Sequence, residues 1–178
     1  MKIAAQKITR NPISDSGGLR ACKEFQKFVA KHSEHDLGSA NGLKLSWATW
    51  IDPVILLRDL STGNIVGYME LSKADPTWGL KYKYYQAGVF IAPAFRGRKL
   101  GTVLYLGALH QFGHLISDPI IGIDAIRTWK SIEKYGYDVK LWDTGTRKTL
   151  NFTWASDGQP YVNGQPMSAY ESDLLFYV

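Results

Sequence analysis

Arg96, Arg98 and Lys99 crowd onto a single turn with Gly97 between them and Gly101 and Thr102 following at once. Val89 and Ile91 lead into this turn with the alternation of a strand, and Pro93 breaks the run. From Leu100 the apolar residues recur at helical spacing through Val103, Leu104, Gly107 and Ala108. A strand feeding a basic, glycine-containing turn that opens a helix is suited to an anion. The first N–H groups of a helix lack intrahelical partners, and the helix dipole places partial positive charge among them. The side-chain cations add formal charge at the same place, so a phosphate or pyrophosphate is the ligand this pattern predicts. An ordinary solvated basic turn is the plainer alternative for RGRK taken alone.

Other chemistry-bearing residues are sparse. Cys22 is the sole cysteine and falls at helical spacing with Leu19, Phe25 and Val29, as a core residue would; the chain therefore holds no internal disulfide or cysteine-rich zinc site, and a reducing compartment is the natural setting. His110 and His114 could share a helix face, but no third ligand accompanies them, and no metal is expected. The net charge of +5 is compatible with an acidic partner without choosing one. No basic run is long enough for a nucleic-acid arm. Tyr82, Tyr84 and Tyr85 alternate with Lys81 and Lys83, which suits base stacking but better suits a sheet face with snorkelling lysines. No apolar run reaches bilayer length, and MKIAAQKITR lacks the apolar region of a secretory signal, so a cytoplasmic protein with no membrane partner is expected.

The elements that must position the basic turn can be read along the chain. At 178 residues, 45% of them hydrophobic and 13% aromatic, one ordered domain is predicted. Lys2 to Thr9 is an edge-strand candidate, Asn11 to Gly18 a turn, Leu19 to His32 an amphipathic helix, and Ser33 to Leu43 a polar loop. Val54 to Arg58 and Ile65 to Leu71 flank Ser61-Thr62-Gly63-Asn64 as a β-hairpin. A long strand over Tyr82 to Ala92 enters the turn, and a helix over Leu100 to Gln111 leaves it. His114 to Pro119 reads as a short strand broken at the proline, Ile123 to Tyr135 as a helix, and Tyr137 to Trp142 as a strand. The tail carries hairpin signals at Asp157-Gly158 and Asn163-Gly164 and closes on a strand over Leu174 to Val178.

The segment VFIAPAFRGRKLGTVLYLG resembles motif A of the GNAT superfamily of N-acetyltransferases, in which a strand ends as V-x-P-x-x-[RQ]-x-x-G-x-[GA]. Ile91, Pro93, Arg96 and Gly101 match, whereas Lys99 stands where the family has its first glycine. A second stretch, SIEKYGYDVKLWD, is similar to the family's motif B, L-Y-E-K-x-G-F followed by a strand, with Glu133, Lys134, Gly136 and Tyr137 matching. The resemblance covers about residues 1–145. It implies an α/β (α+β) fold: a mixed, mostly antiparallel central sheet flanked by helices, with residues 146–178 as a β-hairpin-rich C-terminal extension of the same domain.

It further implies an acyl-CoA-dependent N-acyltransferase, with acetyl-CoA as co-substrate and an amine of unspecified identity as acceptor. Arg96, Gly97, Arg98, Lys99, Gly101 and Thr102 would hold the pyrophosphate, and Val89 and Ile91 the pantetheine through backbone pairing. The family's thiolate-protonating tyrosine aligns with Ile132, so that acid is missing. Tyr135 lies roughly 60° off the same helix face as its substitute; Ser117, Asp118 and Glu70 are the alternative polar groups, Asp118 and Glu70 as bases for the amine. Tyr135 as packing, Ser117-Asp118-Pro119 as an ordinary turn and Glu70 as a solvent-facing strand residue are the competing roles. The resemblance is to compact members of bacteriophage type. It leaves two other outcomes: a protein that keeps the fold without the chemistry, binding a host or virion protein, and a group transferase acting on nucleic acid.

Overall fold

A computed structural model describes residues 13–49, 51–119, 121–167 and 173–178. Ser14 caps the first helix, α1 (Asp15–Val29), its hydroxyl accepting from the N–H of Gly17 at 3.2 Å. There follow five strands, β1 (His35–Ala40), β2 (Leu43–Thr49), β3 (Pro53–Asp59), β4 (Ile65–Lys73) and β5 (Tyr84–Ile91), each antiparallel to the last in the order β1-β2-β3-β4-β5. Helices α2 (Leu100–Phe112) and α3 (Ile123–Ile132) come next, then β6 (Lys140–Asp143), β7 (Lys148–Leu150), β8 (Phe152–Trp154), β9 (Pro160–Val162), β10 (Gln165–Pro166) and β11 (Leu174–Tyr177). The expected class, an antiparallel sheet flanked by helices with a β-rich C-terminal region, is the one observed.

Two departures from the sequence reading have clear causes. Ser33 to Leu43 is no loop: it holds β1 and the turn into β2. Asn41 and Gly42 both take positive φ, 52° and 76°, the pair of conformations a two-residue hairpin turn requires. The helix expected to run to Tyr135 ends at Ile132 and tightens into a single 3-10 turn over Glu133–Tyr135, stopped by Gly136 at φ 86°. The edge strand expected over Lys2 to Thr9 lies outside the described residues.

The sheet is built in two halves joined by one residue. Ile116 bridges Tyr85 of β5 in parallel and Tyr177 of β11 antiparallel, and β11 pairs onward with β6 and β6 with β7. The tail is thus woven into the sheet, with β11 between Ile116 and β6. A separate small sheet, β10-β9-β8, packs Phe152 and Trp154 against Phe176.

Helix α1 covers one face of the first half-sheet. Phe25 meets Tyr68 edge-on at 5.0 Å, and Gly18 lies so close to Phe90 that no side chain would fit between them. Helix α2 covers the other face and is buried on two sides, against the sheet and against α3, which is why it is apolar nearly all round. Gly107 lets its backbone approach β2, since a Cβ there would stand 2.6 Å from Leu45. Cys22 is buried as expected, and loss of solvent pushes its thiol up to about 11, far from any reactive thiolate.

Candidate active site

The basic turn sits where the sequence places it, between β5 and α2. Gly97 takes φ 75°, and Lys99, the residue before the helix, takes φ 57° and ψ 24° in the left-handed region. Among the described residues no side chain caps the helix, so the N–H groups of its first residues are open to a ligand. The left-handed region costs an L-residue with a Cβ about 1–2 kcal/mol. The strain therefore falls at the position where the sequence departs from the glycine of motif A. Lys99→Gly should raise stability by about 1 kcal/mol, or roughly 2–4 °C in Tm for a chain of this length. Thermal unfolding of the variant checks this; an unchanged or lowered Tm would mean that the turn is not held in this conformation.

The residues of the turn divide by what they touch. Arg96 donates from Nε to the carbonyl of Ile91 at 3.0 Å, pairs with Asp15 in the first turn of α1, and lies over the Phe90 ring. It ties the turn to β5 and α1. Arg98 and Lys99 are exposed. Gly101 sits in the first turn of α2 with open space at its Cα: a Cβ would meet Thr128 Oγ1 at 3.7 Å, an ordinary contact. The Thr102 hydroxyl is taken by Ser131 of α3 at 2.8 Å, leaving its backbone N–H for the turn.

The long strand opens as it approaches the turn. Gln86 donates its backbone N–H to Ile116 at 2.9 Å, the hydrogen bond at the junction of the two half-sheets. Immediately beyond, the register of β4 against β5 shifts: Leu71 pairs with Gln86 but Glu70 with Gly88, leaving Ala87 as the extra residue of a bulge. On the other side, Ser117 turns to β11, donating to the Phe176 carbonyl at 2.8 Å and accepting the Phe176 N–H on its hydroxyl at 3.0 Å. The two strands therefore diverge past Gln86. Ala92 donates to Val66 on β4, so strand alternation turns the N–H groups of Val89 and Ile91 toward the opened side. The Arg96 bond to the Ile91 carbonyl lies along that same edge.

Polar groups gather at the parting point. Tyr105 of α2 is buried and its phenol donates to Gln86 Oε1 at 2.5 Å. Burial, with the charge of Asp118 added, holds this phenol well above the ordinary tyrosine range, so it stays protonated. Trp129 of α3 stands edge-on to Tyr105 at 5.4 Å, and its buried indole N–H has no acceptor among the described residues.

On the α1 face, a cleft of about 520 Å3 lies between the helix and the sheet, with Arg20, Glu24, Asp52 and Glu70 at its polar edge and Phe25, Val54 and Leu71 at its apolar wall. Val54, Glu70 and Gly88 form one row across β3, β4 and β5, and the Glu70 carboxylate would meet a Cβ on Gly88 at 3.4 Å. Glu70 thus stands between the cleft and the first residue past the bulge.

The other sequence candidates are placed differently. Ser117 is fully buried and its hydroxyl is committed to Phe176. Asp118 is partly exposed at the end of the same segment. Tyr135 is 58% exposed on the 3-10 turn after α3, and Ile132 is fully buried. The tyrosines of the lysine-rich stretch pack on the protein's own rings: Tyr82 stacks on His114, Tyr84 meets Phe112 edge-on and Tyr85 meets Trp78. His114 accepts the Lys83 N–H on Nε2 at 3.1 Å. Among the described residues no three His, Cys, Asp or Glu side chains converge as metal ligands would, and no helix is long and apolar enough to cross a membrane. Gln86, Tyr105 and Asp52 were not singled out from sequence. The available signal was Gln86 itself, a polar residue on a strand whose neighbours pack on both faces.

Comparison with known proteins adds a family. Residues 23–117, more than half of the chain, match the family described as "Acetyltransferase (GNAT) family". No curated protein matches. Among solved structures, one described as a "putative phosphinothricin N-acetyltransferase" is 15% identical and aligns over 99% of this chain and 94% of its own, with a TM-score of 0.42. A likeness that distant carries no inference.

Proposed function

Since this chain belongs to the acetyltransferase (GNAT) family, we propose that it transfers an acyl group, most simply acetyl, from acyl-CoA to an amine. The observation that carries this reading is the uncapped N-terminus of α2, set behind a basic turn at the end of a strand whose edge is open. The residues fit a CoA thioester in character. The N–H groups of the turn and of the first turn of α2, with Arg98 and Lys99, suit the pyrophosphate. The N–H groups of Val89 and Ile91, without a partner among the described residues, suit the carbonyls of the pantetheine amides, and Arg96 fixes the turn against that edge through the Ile91 carbonyl.

In the transfer, the amine nitrogen attacks the thioester carbonyl, the carbon–sulfur bond breaks, the nitrogen gives up a proton and the CoA thiolate takes one. Glu70 would accept the amine's proton. It borders the cleft on the α1 face and lies over Gly88, next to the strand segment where the two halves of the sheet diverge. Among the described residues that line the cleft, Glu24, Asp52 and Glu70 outnumber Arg20, which favours a cationic amine on a protein that is otherwise net basic. Asp118, whose charge reaches the Tyr105 phenol, is the other carboxylate suited to the base's role. Tyr135 and Ser117 are less suited, the first by its exposure and the second by its commitment to β11.

A thiol-release assay with acetyl-CoA and a panel of mono- and diamines tests the reading. Glu70→Gln should lower kcat at neutral pH by about 10–100-fold and shift the pH profile upward, as loss of a general base does, with acetyl-CoA affinity unchanged. Turnover with no amine dependence, or a Glu70→Gln enzyme with an unaltered pH profile, would remove Glu70 from the role. The alternative, a fold retained without transfer, is favoured by buried Ile132 at the position of the family's tyrosine. Saturable acetyl-CoA binding with no thiol release from any amine would support it.

A further inference from the structure

The pair formed by Tyr105 and Gln86 occupies the point where the sheet parts, and its hydrogen bonds are incomplete in an informative way. The Gln86 side chain belongs to a residue only 5% exposed, and its backbone N–H makes the junction bond to Ile116. A buried phenol needs an acceptor, and Gln86 Oε1 supplies it. That bond turns the carboxamide so that its carbonyl end faces Tyr105 and its NH2 end faces away. Among the described residues nothing accepts from Gln86 Nε2, and the indole N–H of Trp129, against the same tyrosine, also lacks an acceptor. A buried donor without an acceptor is costly, so the Trp129 indole N–H leaves this site short of an oxygen.

We propose that Gln86 distinguishes an acyl-CoA thioester from free CoA, its Nε2–H donating to the acyl carbonyl oxygen, and that Tyr105 is the positioning residue that holds the amide in this orientation. The inference rests on the acyl-CoA reading above. The acyl carbonyl offers an acceptor where a free thiol offers almost none, so the contact is worth something only when the ligand is acylated. Sequence could not show this, because the two residues lie on different elements and meet only across the packed face of α2 and β5.

Calorimetric titrations with acetyl-CoA and with CoA test the proposal on the wild type, on Tyr105→Phe and on the double variant Gln86→Leu/Tyr105→Phe, which removes both partners of that hydrogen bond together. The wild type should bind acetyl-CoA about tenfold more tightly than CoA, the value of one hydrogen bond. The double variant should bring that ratio to about one while leaving the CoA Kd unchanged. Tyr105→Phe, which removes a single oxygen and is the variant surest to fold, should narrow the ratio in part. A wild-type preference that persists in the double variant overturns the proposal, as does an equal loss of affinity for both ligands, the mark of a merely structural role. A wild type that binds CoA and acetyl-CoA equally overturns the discrimination alone; a wild type that binds neither overturns the acyl-CoA reading as well.

Discussion

Gly101→Glu should eliminate detectable acetyl-CoA binding while leaving the protein folded. Position 101 has room for a side chain, its nearest neighbour being Thr128 Oγ1 at 3.7 Å from a Cβ. A carboxylate in the first turn of a helix is favourable to the helix itself, through the dipole and the unpaired N–H groups. Stability should therefore hold or rise slightly. For the ligand the same carboxylate is a competitor and a repellent. It can occupy the N–H groups meant for the pyrophosphate, and one like-charge contact near a protein surface costs about 4 kcal/mol at 4 Å with an effective dielectric near 20. Affinity should fall by two to three orders of magnitude, by roughly that arithmetic. Gly101→Ala is the control, since it adds bulk in the same space without charge and should weaken binding only slightly. Parallel thermal unfolding and titration separate the outcomes. A Gly101→Glu protein that is stable and still binds would move the anion site elsewhere.

The second large effect concerns the fold. Gly18→Ala adds one methyl group, and an ideally placed Cβ would fall 2.1 to 2.5 Å from three carbons of the Phe90 ring. Alanine is otherwise about 1 kcal/mol better than glycine in a helix interior, so the intrinsic preference favours the substitution and only the contact opposes it. Phe90 cannot easily withdraw, being packed on Tyr68 and under the Arg96 guanidinium. Overpacking of this kind costs about 1–3 kcal/mol and occasionally more. The net expectation is a loss of about 1 to 2 kcal/mol, or roughly 2–8 °C in Tm. On a Phe90→Ala background the same substitution should cost less than in the wild type, a coupling between the two sites that independent mutations would lack. A Gly18→Ala protein as stable as the wild type would show that α1 does not dock against β5 this closely. That docking also places Arg20 and Phe25 at the cleft beside Glu70.

The parts of the molecule legible in the sequence are those fixed by local pattern. The β3–β4 hairpin, the helix behind the basic turn and the helix stopped at Gly136 each carry a periodicity and a terminator in the chain itself. The β1–β2 hairpin is equally local, marked by Asn41-Gly42 and by the alternation of Leu43, Leu45 and Trp47 after it, but β1 is polar and mostly exposed, so only one of the two strands carries a hydrophobic pattern. The slot taken by β11 could not be read, because β11 pairs with Ile116 and β6, far from it in sequence, and no local feature encodes a long-range partner. The site divides in the same way. The basic turn between β5 and α2 is one continuous segment, so its place is visible in the sequence. Gln86 and Tyr105 are joined only by packing, and the acidic cleft draws Glu24, Asp52 and Glu70 from three separate stretches.

The most direct measurement is calorimetric titration of the wild-type protein with acetyl-CoA. A saturable, one-to-one isotherm in the micromolar range, weakened by added salt as a phosphate contact should be, is the predicted result. No heat of binding at millimolar acetyl-CoA would contradict the account at its centre, since the uncapped helix and the opened strand would then hold no CoA thioester.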